Sequence, residues 1–237
     1  MRFENTDELK GVELVNVDLS GARGRNVNLQ GVKIMEAMLV NARFSGLITG
    51  LVVNDVEVAP LIAAEMDRRY PERTKLRPRD ADGVREAWVV IEGLWAASKA
   101  RASSLPEPTL RQRVDDEWSF LETQRHLVMV TDSWVSANVL GRSGHYWPFG
   151  VLPSFMTDAS PYGIDPTADP SWEEVAAARE DRMLVVRRLV ADLTDADLAR
   201  SRDGNTVLRC LRTLMEEEWS HNRFANRDLD VLASGLA

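Results

Sequence analysis

A period of five runs through the first part of this chain. Leu9, Leu14, Leu19, Leu29, Ile34, Leu39 and Phe44 recur at five-residue intervals, with only Gly24 interrupting the series. A second series, Val12, Val17, Ala22, Val27, Val32, Ala37 and Ala42, keeps the same interval with small or β-branched residues. Neither a helix, with 3.6 residues per turn, nor a strand, with two, generates this spacing. A five-residue unit forming one side of a square coil does, because each side sends one bulky and one small side chain inward. Eight units between Leu9 and Phe44, four to a coil, give about two coils.

The strings VDLSG, VNLQG and ARFSG resemble pentapeptide-repeat proteins, whose fold is a right-handed quadrilateral β-helix. Some such proteins imitate DNA with a long acidic rod. Two coils are too short for that, and residues 1–58 hold eight acidic against six basic side chains. Residues 1–58 therefore read as a small solenoid cap, whose exposed coil end also points to a homodimer contact.

After VVNDVEV the pattern changes. APLIAAEMDRRY reads as a short amphipathic helix with Pro60 in its first turn, followed by the connector PERTKLRPRDADG, which leads into the first long helix; the short helix and linker are assigned to 59–79. Four longer helical segments fill residues 80–237. They are expected at Gly83–Ser103, Leu110–Leu140, Ser171–Leu193 and Thr206–Leu232. Ser171 and Glu174 form a capping box at the third start. The whole reads as a mainly α chain: a four-helix bundle preceded by a short β-helix. Between the second and third segments lies a long loop with Trp147, Phe149 and Phe155, placed to act as a lid over one end of the bundle.

Composition narrows the function. A net charge of −8 argues against a general nucleic-acid binder, which needs a basic surface. No apolar run is long enough to span a membrane. A single cysteine, Cys210, rules out an intrachain disulfide framework, and MRFENTDELKG carries no secretory signal, so a cytoplasmic location is expected.

Chemistry concentrates on two helices. Glu217 and His221, four residues apart in EEEWSHNRF, project from one face of the fourth segment. His126, in WSFLETQRHLVMV, lies on the second. Together they make a three-ligand metal site with one position left for water or substrate. Each residue also has a plainer reading. A lone helical histidine is more often a hydrogen-bonded core residue, and Glu217 can instead pair with Arg85, Arg125 or Arg188. Trp118, Glu122, His145, Trp219 and Arg223 are candidate pocket residues around the site. His145 could act as a general base or pack among loop aromatics, and the two tryptophans could serve only as packing. Arg223 and Arg227 could hold a substrate carboxylate or form surface ion pairs with Glu218 and Asp228.

WSFLETQRHLVMVTDSW followed some ninety residues later by EEEWSHNRFANRDLDVL resembles the DinB-like superfamily of four-helix metalloproteins, over about residues 80–235. The chain is also similar to an actinobacterial subgroup with pentapeptide-like repeats in front. Many members of the superfamily bind a divalent metal through three histidines. This chain offers Glu217 in place of one of them, as the mycothiol-dependent maleylpyruvate isomerases do with their E-x-x-x-H pair. The resemblance implies His126, Glu217 and His221 as ligands, Zn2+ as the metal, and a low-molecular-weight thiol of the mycothiol type as co-substrate. The implied activity is S-transfer to a small electrophile. Metal-dependent hydrolysis, or a non-catalytic metal-binding, ligand-binding or interaction protein, is the alternative. The isomerases carry a further C-terminal domain that these residues do not match, so their specific reaction is not implied. DNA repair gains no support from an acidic chain.

Overall fold

The computed structural model describes residues 2–3, 6, 8–142, 144 and 146–235. By its backbone contacts the chain divides into two compact units, Met1–Ala42 and Arg43–Ala237.

In the first unit the five-residue period is written into the backbone. Left-handed φ values recur at Gly11, Asn16, Gly21, Asn26, Gly31, Glu36 and Asn41, one per repeat. Glycine takes this conformation without strain, and asparagine tolerates it better than most residues. The glycine corners are closed by hydrogen bonds from Val12 N to Leu9 O, Ala22 N to Leu19 O and Val32 N to Leu29 O, at 3.0–3.2 Å. Asn16, Asn26 and Glu36 occupy the alternate corners, so from Gly11 to Glu36 a period of ten overlies the period of five, and Asn41 then stands where a glycine would continue it. The bulky series remains 45–62% exposed, from Leu9 to Ile34.

The second unit opens with a small antiparallel pair, β1 Val52–Val53 and β2 Val56–Glu57. Helix α1 (Ala59–Arg69) follows, with Pro60 in its first turn, and then a 3-10 stretch at Pro71–Leu76. The bundle is built from α2 (Ala81–Ala102), α3 (Phe120–Thr131), α4 (Trp172–Ala191) and α6 (Val207–Ser234). The short α5 (Asp195–Leu198) and a β3–β4 pair (Ser201–Arg202 with Asn205–Thr206) link α4 to α6. Helix α2 packs on α4 and α6, and α3 packs on the same two, closing a four-sided ring. Trp88, Ile91, Trp95, Leu127, Val186, Leu211, Leu214 and Met215 fill its centre with almost no exposure. Burial of a side chain of this size contributes about 1.5–3 kcal/mol. Among the described residues no helix is long and apolar enough to cross a membrane.

One expectation needs correction. The second long helix does not begin near Leu110. A 3-10 turn occupies Glu107–Arg111, and Asp115 and Asp116 both adopt left-handed φ, which breaks any helix. The helix proper starts after Ser119, whose hydroxyl accepts from Glu122 N while the Glu122 carboxylate accepts from Ser119 N. WSFLE thus holds a second capping box, beside the expected one at Ser171 and Glu174. Past Thr131 the helix widens into a π segment, Asp132–Val139, closed by Leu140 N donating to Val135 O.

The long loop is fastened to α3. Arg125 Nε donates to Phe149 O at 2.6 Å, and Trp147 N donates to the buried Asp132 carboxylate at 2.9 Å. Arg182 Nε also donates to Asp132, at 2.9 Å. The connector before α2 is likewise folded down. Tyr70 meets the ring of Trp219 edge-on, and Arg73 lies over that ring.

Candidate metal centre

Helix α3 supplies His126, and α6 supplies Glu217 and His221 one turn apart. Glu217 Oε2 lies 3.2 Å from His221 Nε2 and 3.8 Å from His126 Nε2. One donor atom from each of the three residues falls within 4.8 Å of the others. A tetrahedral ion with bonds near 2.0–2.1 Å holds its ligand atoms about 3.3 Å apart, so the set is close to the size an ion requires. The chemistry also fits. Two imidazoles and a carboxylate form a donor set of catalytic zinc sites, one short of a closed tetrahedron.

His126 is oriented from behind. Its Nδ1 lies 2.9 Å from the carbonyl oxygen of Val151, a hydrogen bond that needs the proton on Nδ1, so that Nε2, on the side of Glu217, is the nitrogen that would give its lone pair to an ion. A carbonyl from the long loop therefore selects the tautomer a metal ligand needs. Trp118 packs against both imidazoles, 4.5 Å from the ring of His126 and 5.7 Å from that of His221, the latter stacked. Without an ion, hydrogen bonds to His126 and His221 hold the Glu217 carboxyl well below its ordinary range, at about 2. Burial pushes His221 below its ordinary value, against the opposing pull of Glu217. The resting site is an ionised carboxylate beside a neutral His221, the state a cation would meet.

A family model described as the DinB superfamily matches residues 91–225, more than half of the 237-residue chain. The chain belongs to the DinB superfamily. Eight copies of the pentapeptide repeat match residues 8–46, in front of the DinB region. No curated protein and no solved structure matches the chain. DinB-like domains commonly bind a divalent metal, and here the three candidate ligands meet within the DinB match.

The other candidate residues around the DinB bundle take varied places. Glu122 is engaged in its capping box and in an ion pair with Arg113. Trp219 is buried under the connector and donates its indole N–H to Glu72 at 3.3 Å. Arg223 stacks over the rings of Trp219 and Phe224. Arg227 pairs with Asp228 and Glu117. His145 lies outside the described residues. Arg85 and Arg125 do not pair with Glu217, for they donate to backbone carbonyls of Val190, Leu193 and Phe149, and Arg85 also to Asp82. Cys210 is a buried core residue.

Sequence reading missed the most buried charges of the bundle. Glu218, rather than an exposed partner for Arg223, sits fully buried and accepts from Arg179, itself 1% exposed. A signal existed: Arg179 occupies the same helical stripe as the buried Val175, Met183, Val186 and Val190. Also missed was a cavity of about 320 Å³ that reaches Glu217 and is otherwise lined by Leu76, Arg77, Arg212, Thr213 and Glu216.

Proposed function

We propose that this chain is a divalent-metal enzyme, with zinc as the ion, that transfers a low-molecular-weight thiol to a small electrophile. The observation that carries this reading is the geometry of Glu217. Its carboxylate faces both histidines, yet its side chain stays 38% exposed and the residue borders a cavity. A purely structural ion needs no such opening, and structural zinc sites are usually closed by four protein ligands.

A divalent ion at this place supplies Lewis acidity, bringing the pKa of a thiol or water toward neutrality. The chain contributes the rest. His126, 3% exposed and tied to Val151, gives a rigid donor. Glu217 offsets one of the ion's two charges. Trp118 covers the imidazoles and keeps water from that side. In the transfer the thiol releases its proton to solvent and its sulfur lone pair forms a bond to carbon. The leaving group departs with the electrons of the bond it breaks.

Elemental analysis of protein purified without a metal-affinity tag is the test, beside a His126→Ala/His221→Ala variant. Near-stoichiometric zinc in the parent alone, followed by zinc-dependent loss of free thiol when thiols and electrophiles are added, is the expected result. Absence of metal from the parent, even after incubation with zinc, overturns the reading. Zinc-dependent hydrolysis with no consumption of thiol replaces transferase by hydrolase.

A further inference from the structure

We infer that the cavity beside Glu217 is a subsite for a carboxylate-bearing small molecule, with Arg212 as its anchor; this rests on the metal reading above. The cavity has two guanidinium groups on its wall, Arg77 and Arg212, together with the Thr213 hydroxyl and two glutamates. At about 320 Å³ it lies at the small end of ligand pockets.

The two arginines differ in how they are held. Arg77 grips Asp67 with both terminal nitrogens, at 2.9 Å each, and Asp67 is shared with Arg73. Arg212 donates Nε and Nη2 to the carbonyl oxygen of Pro78, with Nε at 2.8 Å. That clamp fixes the guanidinium plane, and among the described residues Nη1 forms no hydrogen bond or ion pair. Among the described residues no carboxylate forms an ion pair with Arg212. By contrast Arg179, Arg182 and Arg227 all have carboxylate partners. A rigid, uncompensated guanidinium at a cavity wall is suited to an oxyanion.

Position adds a direction. Arg212 and Glu217 lie five residues apart on α6, about 7.5 Å along the axis, and both line the cavity. A molecule whose carboxylate meets Arg212 therefore lies in the same cavity that reaches Glu217 of the donor set. The glutamates choose the charge. Glu216 repels a second negative charge, which disfavours a phosphate dianion relative to a singly charged carboxylate. Glu217 repels any anion until a cation neutralises it. Metal and carboxylate should therefore strengthen each other's binding, by the same factor in both directions.

The experiment is calorimetric titration of the full chain with butyrate, with the neutral isostere butyramide and with inorganic phosphate. Each is run on zinc-loaded and metal-free protein after zinc content has been measured. Butyrate should bind the zinc-loaded protein at least about tenfold more tightly than butyramide or phosphate, and more tightly than it binds metal-free protein. Arg212→Met should remove the preference for butyrate over butyramide, and Arg212→Lys should restore part of it. Glu216→Gln, which leaves the Pro78 clamp intact, should tighten butyrate binding. Equal binding of acid and amide by zinc-loaded protein, or a preference unmoved in both Arg212→Met and Glu216→Gln, overturns the subsite. If phosphate binds more tightly than butyrate, the carboxylate assignment fails. A protein that takes up no zinc fails at the first measurement, which separates loss of the metal reading from loss of the subsite alone.

Discussion

Glu217 and Glu218 are neighbours on one helix and end in opposite surroundings. Glu217 reaches His126 and His221 with its side chain partly in solvent, whereas Glu218 turns into the bundle core and meets Arg179. Of the three consecutive glutamates at 216–218, Glu216 and Glu217 line the cavity, Glu217 also faces the histidines, and Glu218 is buried.

Removing Arg179 alone leaves a buried carboxylate without its partner. Arg179→Met should lower stability by about 3–5 kcal/mol, the usual result of breaking a buried pair from one side. Arg179→Met/Glu218→Leu should recover most of that loss, because both charges leave the core together. Urea unfolding of the two variants measures it, and a double variant no more stable than the single one contradicts the argument.

Glu217→Gln keeps the shape of the ligand and removes its charge. Zinc affinity should fall by more than the about 10–100-fold that loss of an outer-shell partner costs. Competition with a chromophoric chelator gives the number. A fall of less than tenfold would mean that Glu217 is not a ligand.

Acid should destabilise the metal-free protein in two stages. Folding favours neutral His221, because burial depresses its pKa, so the unfolded chain takes up that proton first as pH drops through about 6.5. Folding also favours ionised Glu217, whose stabilisation is present above its ordinary value of 4.5 and is lost as pH falls toward about 2. Thermal unfolding followed by circular dichroism should give a lower Tm at pH 5.5 than at pH 7.5, and His221→Gln should reduce that difference. An unchanged difference in the variant assigns the effect to other groups.

Trp118 touches both imidazoles, so an ion held by them lies within reach of its excited state. Paramagnetic Co2+ should quench intrinsic fluorescence in the parent, and Trp118→Leu should lose a large share of the quenched signal. Quenching of equal amplitude in the variant places the ion elsewhere.

The capping box at the start of α3 fixes where that helix begins and hence the height of His126. Ser119→Ala should cost about 0.5–2 kcal/mol in denaturant unfolding. A change under 0.2 kcal/mol would show that the cap is dispensable.

What could be read from the chain depended on range. The five-residue period and the stripes of α2, α4 and α6 are local patterns, and the structure carries them as corners and buried faces. The Glu217–His221 pair is legible because one helical turn is enough to define it. The break at Asp115 and Asp116 was missed because apolar spacing continues across it, with Ser119 and Glu122 the overlooked stop-and-start signal. Arg212 was hidden for another reason: its partner Pro78 is 134 positions away, and no periodicity links a connector to a helix face. The Val151 carbonyl is equally silent, since every residue has one.

That carbonyl has a wider consequence. The imidazole of His126 joins the loop on one nitrogen and offers the other to the ion, so a single ring is gripped from two sides. Whatever settles the loop into place lessens the entropy an arriving ion must overcome, and an ion already seated makes the loop harder to peel away. Substitutions around Val151, remote from Glu217 in sequence, should then change how long the ion stays. A protease directed at the loop would sense, by its rate of cutting, whether the ion is there.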